Sequence, residues 1–301
     1  MVIYVREEKC NYTFVISFTV TYVSTSAFRF FLSLCLHFRS IFSLSVKFEL
    51  EIKMLAVFKA SVAEAPGELV SPHSQHQAET RKTGMDLINA FISSDSGTVC
   101  VNLGDAGAMA YTTKHQPLLI PRSFVAVDDI FCLFEGTLDN IAALRQQYGL
   151  NKSANEVTIV IEAYKTLRDR GPYPADQVVR DLSGKFAFVL FDSKSKTLFT
   201  ATDADGSVPF FWGTAADGCL VLSDEVRSVK DGCGKSFAPF PLGCFFSTSG
   251  GLQSFEHPRN KLMPLPHVDS EGHMCGANFK VDELSKKDSA IRRVGSAANW
   301  A

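Results

Sequence analysis

Apolar runs separated by turn residues fill the stretch 181–224. The runs that predict strands are Lys185–Asp192, Thr197–Asp203, Val208–Gly213 and Cys219–Ser223. Polar residues separate the first two runs, and Asp217-Gly218 separates the last two. Such residues accept the backbone angles of tight turns and are typical of β-hairpins. The pattern therefore predicts two antiparallel hairpins in this part of the chain.

Three earlier segments with apolar or alternating patterns predict further strands. They are Leu55–Lys59, Gly97–Tyr111 and Ser123–Leu138. Between the first two lies Glu64–Arg81, which is rich in Pro, Gly, Ser, His and Gln. That composition is typical of a loop.

Helical patterns follow these strands. The first predicted helix covers Asp139–Tyr148 and ends at Gly149, because glycine accepts the positive φ at a helix terminus. The second has apolar residues at three- and four-residue steps over Val157–Leu167. Ser153 and Glu156 in front of it form the sequence signature of a capping box.

The second helix ends in the basic turn Arg168–Arg170, followed by Gly171-Pro172. Basic residues suit the negative C-terminal pole of a helix, so we expect a solvated, dipole-compensating helix end here. A third, short helix is predicted from Pro174 through Leu182 and ends at Gly184. The order of strands, helices and strands indicates an α+β fold with packed layers.

Charge and cysteine content exclude several classes of function. The formal net charge is -2, which gives no basic surface for nucleic acid. The eight cysteines and seven histidines are dispersed, so we expect no metal site and no cofactor. Free, buried thiols in a reducing compartment are the preferred interpretation, with Cys100 in the core. We expect a cytoplasmic location and leave a nuclear one open.

Motifs along the chain resemble two related groups of proteins. Tyr148-Gly149-Leu150 and Leu167-Arg168-Asp169-Arg170 are the motifs of the plant aluminium-induced, stem-specific-type proteins. The strands of 181–224, closed by Ser223-Asp224, resemble the glutaminase domain of asparagine synthetases. Those domains are class II glutamine amidotransferases of the N-terminal-nucleophile hydrolase type. The resemblance implies an α+β fold in which two sheets lie between helical layers, a four-layer αββα sandwich.

The resemblance extends from about Met54 to Trp300. We assign the amidotransferase-like domain to residues 54–284 and expect residues 285–301, which are polar and small, to form a flexible tail. Residues 1–53 do not belong to this pattern.

Three interpretations of residues 1–53 compete. A signal peptide would need one short apolar region, whereas the apolar part here runs on and acids are mixed among the early charges. A membrane helix over Tyr12–Leu36 would have the required length but would carry Arg29 and many Ser and Thr residues. We favour the third, in which Met54 is the native start and 1–53 is a non-native or disordered extension.

The chemistry of the resembled glutaminases is altered here. They use a cysteine directly after the initiator methionine, with the freed α-amine as base. The equivalent residue is Leu55, which has no nucleophilic atom and disfavours removal of the methionine. Their oxyanion hole uses an Asn amide and a Gly N–H, and Glu135-Gly136 stand in that place. A carboxylate there opposes the negative charge of the transition state, so the sequence predicts no catalytic residue.

Part of the substrate pocket is predicted to survive at Arg122, Glu135 and Gly136. Arg122 stands where the resembled enzymes hold the substrate α-carboxylate, and its guanidinium is a fork-shaped anchor for such a group. The alternative is a surface arginine at the start of a strand. Gly136 either presents its N–H to a ligand or permits a tight strand-to-helix turn.

Two functions follow from these observations. The resemblance implies a non-catalytic protein with a binding or regulatory role in plant stress or hormone responses, such as those to aluminium and auxin. The alternative is an active amidohydrolase or glutaminase with displaced catalytic residues. For the first, we expect a small carboxylate or amino acid as ligand, a homodimer as a compatible assembly, and neither nucleic acid nor membrane as partner.

Overall fold

The computed structural model describes residues 2–8, 11–17, 54–70, 81–94, 96–113, 122–169, 175–268, 272 and 274–286. The chain divides into two units, residues 1–49 and 50–301. In the first unit, β1 (Val2–Glu8) and β2 (Asn11–Ser17) pair antiparallel. The rest of 1–53 and all but the first two residues of the predicted tail 285–301 lie outside the described residues, so both predictions stay predictions. Within the described part of the chain, no helix has the length and apolarity to span a membrane.

The second unit consists of strands and helices that form four layers. In chain order its elements are β3 (Met54–Phe58), α1 (Gly84–Ser94), β4 (Thr98–Asn102), β5 (Gly107–Thr112), β6 (Arg122–Val127), β7 (Ile130–Leu138), α2 (Ile141–Gln147), α3 (Glu156–Asp169), α4 (Ala175–Arg180), β8 (Gly184–Asp192), β9 (Thr197–Thr202), β10 (Phe211–Thr214), β11 (Leu220–Ser223), α5 (Val226–Cys233), β12 (Phe237–Pro239), β13 (Cys244–Ser247), β14 (Gly251–Ser254), β15 (Asn260–Val268) and β16 (Met274–Lys286).

Two six-stranded antiparallel sheets form the centre of this unit. The first has the order β12-β10-β11-β3-β5-β4, and the second has the order β14-β13-β9-β8-β7-β6. Strands β15 and β16 pair separately as a hairpin. Each of the two large sheets therefore ends in edge strands, with β4 at one edge of the first and β6 at one edge of the second.

Strand β3 shows how the sequence builds the layers. Successive side chains of a strand point to opposite faces of the sheet. Met54, Ala56 and Phe58 accordingly pack in the core between the two sheets, while Leu55 and Val57 pack on the helix side of the first sheet. All five side chains are buried, so β3 has no polar face and lies in the middle of its sheet.

Helices cover the outer face of each sheet. Helices α1 and α5 supply Leu87, Phe91 and Val229 to the cluster against the first sheet. Helices α2, α3 and α4 supply residues such as Leu144 and Val160 to the cluster against the second sheet. The order helix, sheet, sheet, helix confirms the predicted α+β, four-layer αββα sandwich. Every member of the three apolar clusters lies between residues 54 and 279, so the unit has a core of its own.

Both predicted hairpins are present. In the first, Asp192 pairs with Thr197, and in the second Thr214 pairs with Leu220. The run predicted as Val208–Gly213 becomes a strand only from Phe211, because the preceding turn is held by Asp203. That buried carboxylate accepts hydrogen bonds from the Phe186 N–H at 2.9 Å and from the Ser207 N–H at 3.1 Å.

The sequence patterns missed helices α1 and α5. In α1, the buried residues Leu87, Ile88 and Phe91 follow the helical step, a signal that was present in the sequence. The predicted capping box of α3 is wrong, because Asn155 is the capping residue. Its Oδ1 accepts from the Thr158 N–H at 3.1 Å, and Asn is among the residues best suited to this position.

Cys100 is also placed differently from the prediction. It lies in strand β4 as expected, but its side chain is exposed rather than in the core. Strand β4 is an edge strand in which no residue is buried. The other described cysteines, at 132, 219, 233, 244 and 275, are free and buried.

The basic end of α3 is anchored to the second sheet rather than only solvated. Arg168 donates through Nη1 to Asp192 at 3.2 Å, and the Tyr164 hydroxyl donates to the same carboxylate oxygen at 3.2 Å. Burial acts to raise the pKa of Asp192, but hydrogen bonds from Ser195 and Arg168 outweigh it and lower that pKa. Asp192 therefore stays ionised and holds the helix end on the sheet. Arg170 lies outside the described residues.

This anchor makes Asp192 a sensitive position. We expect Asp192→Ala to lower the free energy of unfolding by about 2–3 kcal/mol, since it leaves several donors without an acceptor. Because the pKa of Asp192 is lowered in the folded state, its contribution is present above the ordinary value near 4 and is lost as the pH falls. Urea unfolding at pH 7 and pH 4 measures both effects. Asp169→Asn, at an exposed carboxylate on the same helix end, is the control, and an equal loss in both variants would contradict the anchor.

Candidate functional site

The three predicted site residues lie together at one end of the sheets. Arg122 begins β6 and pairs directly with Glu135 of β7, and Gly136 follows Glu135. From the first sheet, Asp224 follows the last residue of β11, which lies beside the start of β3. The two sheets thus bring a basic residue and two acidic residues into one buried cluster, Arg122, Glu135 and Asp224, named here the Arg122 cluster.

Arg122 is held by protein acceptors at both terminal nitrogens. Nη2 lies 2.9 Å from Oδ2 of Asp224 and 3.5 Å from Oε1 of Glu135. Nη1 donates to the carbonyl and hydroxyl oxygens of Thr112 at 3.2 Å and 3.3 Å. The side chain of Arg122 is 1% exposed, so the alternative of a surface arginine is wrong.

The cluster contains two carboxyl groups and one permanently charged guanidinium. Burial raises the pKa of Glu135, and the neighbouring Arg122 offsets only part of that effect. Burial and the charge of Glu135 raise the pKa of Asp224 well above its ordinary range. Two carboxylates this close cannot both ionise cheaply away from water. The pair therefore keeps one proton to a higher pH than ordinary carboxyl groups do, and with that proton bound the cluster carries no net charge.

Asp224 also fixes the start of β3. Its Oδ1 accepts a hydrogen bond from the main-chain nitrogen of Met54 at 2.7 Å, and the Ser223 hydroxyl donates to the Met54 carbonyl at 2.6 Å. Met54 is 1% exposed. The sequence patterns gave Asp224 no role, although Ser223-Asp224 was part of the resemblance. Its position at the end of a buried strand was the available signal.

Two buried atoms of the site have no hydrogen-bond partner among the described residues. They are Nε of Arg122, a donor, and Oε2 of Glu135. Buried polar atoms are usually paired, so an unpaired donor and an unpaired carboxyl oxygen in one cluster need an explanation. Together they offer one hydrogen bond to an anionic group and one position for a donor.

Leu55 occupies the predicted nucleophile position but faces away from the Arg122 cluster. Its side chain packs with Leu87 and Phe91 under helix α1, on the outer side of the first sheet. A cavity of about 110 Å³ there is lined by Leu55 together with α1 and α5 residues such as Ser228 and Asp231. The side chain at position 55 therefore belongs to the helix layer, whereas Met54 belongs to the layer between the sheets.

Gly136 is required by a close approach of two strands. Its φ is 120°, and a Cβ built there would lie 1.9 Å from the carbonyl oxygen of Lys185 on β8. The residue lies inside β7 rather than at a strand-to-helix turn, so the turn interpretation is wrong. Its predicted role in presenting an N–H to a ligand stays a prediction.

Comparison with known proteins identifies a family model and several proteins to which this chain is similar. A family model described as "Aluminium induced protein" matches residues 55–281. The stem-specific protein TSJT1 of Nicotiana tabacum is 46% identical over 148 residues, which cover 49% of this chain and 99% of that protein. A probable glutamine-hydrolysing asparagine synthetase of Dictyostelium discoideum is 41% identical over 173 residues, 56% of this chain. That match spans only 28% of the synthetase.

Solved structures of amidotransferases are more distant. Glutamine phosphoribosylpyrophosphate amidotransferase from B. subtilis, complexed with ADP and GMP, gives a TM-score of 0.40 at 14% identity. The match covers 67% of this chain and 49% of that chain. A glutamine aminotransferase class-II domain protein from Silicibacter pomeroyi gives 0.33 at 13% identity, with 49% and 73% covered.

Because the two carboxyl groups share one proton, substitution of Arg122 and substitution of Glu135 should change the free energy of unfolding by different amounts. We expect Arg122→Met to cost about 3–5 kcal/mol of unfolding free energy, because it leaves buried carboxyl groups without their cation. Glu135→Gln keeps the shape and removes the need for the proton, so its cost at pH 7 should stay below about 1 kcal/mol. Urea unfolding of both variants measures the difference.

The same cluster predicts a pH dependence. A carboxyl group whose pKa is raised in the folded state contributes stability that is complete below the ordinary value near 4 and is lost as the pH rises through the folded value. The wild type should therefore lose stability relative to Glu135→Gln as the pH rises above the ordinary carboxyl value near 4. A difference between the two proteins that does not change with pH would contradict the shared proton.

Proposed function

The chain belongs to the family described as "Aluminium induced protein", and we propose that it is a non-catalytic glutamine amidotransferase-like protein with a binding or regulatory role. The observation that carries this proposal is the Arg122 cluster. The arginine expected to hold a substrate carboxylate is already paired with Asp224 and Glu135. The site positions thus form contacts within the protein that a glutaminase would need to keep for its substrate.

The nucleophile position supports the proposal in two ways. Leu55 has no atom that can attack a carbonyl carbon, and its side chain packs beneath α1 instead of between the sheets. An active amidohydrolase would therefore need a cysteine elsewhere in the chain as its nucleophile. The described cysteines other than Cys100 are buried, and the exposed Cys100 lies on the edge strand β4 with a pKa raised by partial burial. Such a thiol is a weak nucleophile at neutral pH.

The residue at the oxyanion-hole position, Glu135, supports the proposed loss of catalysis independently. Glu135 supplies a carboxyl group where the resembled enzymes supply an amide donor. Removing one such donor typically costs about 2.7–4 kcal/mol of transition-state stabilisation, and an added negative charge increases that cost. Burial and the contact with Arg122 fix Glu135 in this place. Neither the nucleophile nor the oxyanion hole is therefore available to glutamine hydrolysis.

An amino acid is the ligand that the unpaired atoms of the site favour. Its carboxylate could accept from Nε of Arg122, and its ammonium could donate to Oε2 of Glu135, the two buried atoms without partners among the described residues. A small carboxylate would satisfy the first contact alone. Because both atoms are buried, binding requires a local opening of the site. We propose that such binding serves a regulatory role in plant stress or hormone responses, in the cytoplasm or nucleus.

Glutaminase assays test the loss of catalysis. We expect no release of glutamate from glutamine by the wild type and no covalent labelling by a diazo-ketone analogue of glutamine. Leu55→Cys should also stay inactive, because the new thiol faces the helix layer and Glu135 remains in the oxyanion position. Mass spectrometry of the labelled protein measures this, with a working glutaminase domain as positive control. Turnover or labelling of the wild type would favour the alternative, an active amidohydrolase.

A thermal-shift screen of amino acids and small carboxylates tests the binding role. A ligand that binds only native protein raises the unfolding midpoint by mass action. We expect an amino acid to raise the midpoint of the wild type and to have no effect on Arg122→Lys, which lacks the Nε donor. Arg180→Lys, at a partly exposed arginine that donates to the Phe255 carbonyl, is the matched control. Stabilisation that persists in Arg122→Lys would exclude Arg122 as the anchor.

A further inference from the structure

Strand β4 forms an accessible edge of the first sheet. It pairs with β5 on one side, and within the described part of the chain no strand pairs with its other side. In the second sheet, Phe124 of β6 stacks on Tyr111 of β5 with 5.4 Å between the ring centroids. Strand β6 therefore lies opposite β5, and β4 extends beyond the second sheet.

The hydrogen bonds at the two ends of β4 show which main-chain groups face this edge. The Leu103 N–H donates to the Gly107 carbonyl at 3.0 Å, which continues the β4–β5 register at one end. The Thr113 N–H donates to the Gly97 carbonyl at 3.1 Å, which continues it at the other. Hydrogen-bonded pairs alternate with non-hydrogen-bonded pairs along an antiparallel ladder. The residues that direct their N–H and C=O groups away from β5 are therefore Thr98, Cys100 and Asn102.

The other outer strands are less suited to pairing with another chain. Strands β12 and β14 pack against the hairpin of β15 and β16. Strand β6 runs directly into the acidic pair Asp128-Asp129. Charged residues and proline are common protections of a sheet edge, and β4, with the sequence Thr-Val-Cys-Val-Asn, has neither. Strand β4 is thus the outer strand that best fits a partner strand.

A second copy of the chain fits this edge because the outward groups are symmetric about Cys100. We propose that two copies pair antiparallel through β4, with Cys100 on the two-fold axis, and join their first sheets into one continuous sheet. Thr98 of each copy then lies opposite Asn102 of the other. Every pair formed by the outward residues is a hydrogen-bonded pair, which exchanges two N–H···O bonds.

The polar side chains of β4 also fit this register. Thr98 and Asn102 share one face of the strand, and the Thr98 hydroxyl is buried without a hydrogen-bond partner among the described residues. Asn102 uses its Oδ1 to accept from the Gly104 N–H at 2.8 Å, so its amide nitrogen remains as a donor. In the paired copies, this donor lies across from the Thr98 hydroxyl. Opposite residues of an antiparallel pair are close enough for such a contact.

Apolar side chains beside the edge supply further contact area. Met85 and Ile92, seven residues apart on α1, are 54% and 41% exposed. Met85 lines a cavity together with Asn102 of β4, whereas Ala90 and Ser94 on the other side of α1 line the cavity toward α5. The exposed apolar side of α1 therefore faces the β4 edge. A two-fold axis perpendicular to the sheet places both α1 helices on the same face, where these side chains add to an interface that one strand pair would leave small.

A charge exchange at position 100 tests the pairing in the full chain. The wild type should sediment with twice the mass of the 33.0 kDa chain. Cys100→Lys and Cys100→Glu should each weaken dimerisation at least about fivefold, because like charges meet on the two-fold axis. An equimolar mixture of the two variants should dimerise again, since the charges are then opposite. Val127→Lys, at an exposed apolar residue at the end of β6, is the matched control and should leave the dimer unchanged.

Cross-linking with diamide locates the axis. Two thiols give one disulfide, and the two hydrogens that they lose reduce the diazene of diamide to a hydrazine. Opposite residues of a hydrogen-bonded pair have Cα atoms about 5.5 Å apart, within the range of about 4.4–6.8 Å that a disulfide spans. Mass spectrometry should therefore identify a link between Cys100 residues of two copies. Cys100→Ser should abolish that link and still sediment as a dimer, because the main-chain pairing remains.

Three results would overturn the inference. The first is a monomeric wild type, which would leave the β4 edge to a different chain. The second is a dimer that neither charged variant weakens, and the third is a mixture of the two charged variants that stays monomeric. Neither measurement uses glutamine or a ligand, so these failures are distinct from failure of the proposed function.

Discussion

A single guanidinium held between two buried carboxyl groups is the interaction on which the site depends. Arg122 joins the two sheets, since Glu135 comes from one and Asp224 from the other. A buried charge without a partner is strongly destabilising, so none of the three side chains can be lost alone without cost. The same contacts occupy the two terminal nitrogens of Arg122 and leave only its Nε without a partner among the described residues. One cluster therefore both stabilises the fold and supports the proposed loss of the enzymatic site.

The alternation of side chains along β3 explains why positions 54 and 55 lie in different layers of the fold. Position 54 points between the sheets and position 55 points to the helices. Met54 therefore packs in the interior, and Leu55 packs under α1, where it has no nucleophilic atom. Asp224 holds the main chain at this point through the Met54 nitrogen. The two sheets of the N-terminal-nucleophile hydrolase fold are therefore present here with Met54 packed between them.

Local patterns predicted the fold well and the site only in part. Alternation and turn residues were sufficient for the hairpins, and glycine at 149 was sufficient for the end of α2, because those structures depend on neighbouring residues. Whether an arginine is paired depends on distant partners. Arg122 was predicted as a ligand anchor, which stays a prediction, and its pairing with Asp224, 102 positions away, follows only from how the sheets pack. The exposure of Cys100 was missed for the same reason, since a strand pattern does not reveal an edge.

The ionisation of the two carboxyl groups tests the account most directly. Carbon-13 NMR of the carboxyl carbons of Glu135 and Asp224 in the full chain, followed from pH 3 to pH 9, reports each protonation state. The account predicts that the pair keeps one proton well above the ordinary value near 4 and releases it only at higher pH. Two carboxyl groups that both ionise near pH 4 would contradict it, because the cluster would then not be the closed, proton-sharing unit described above.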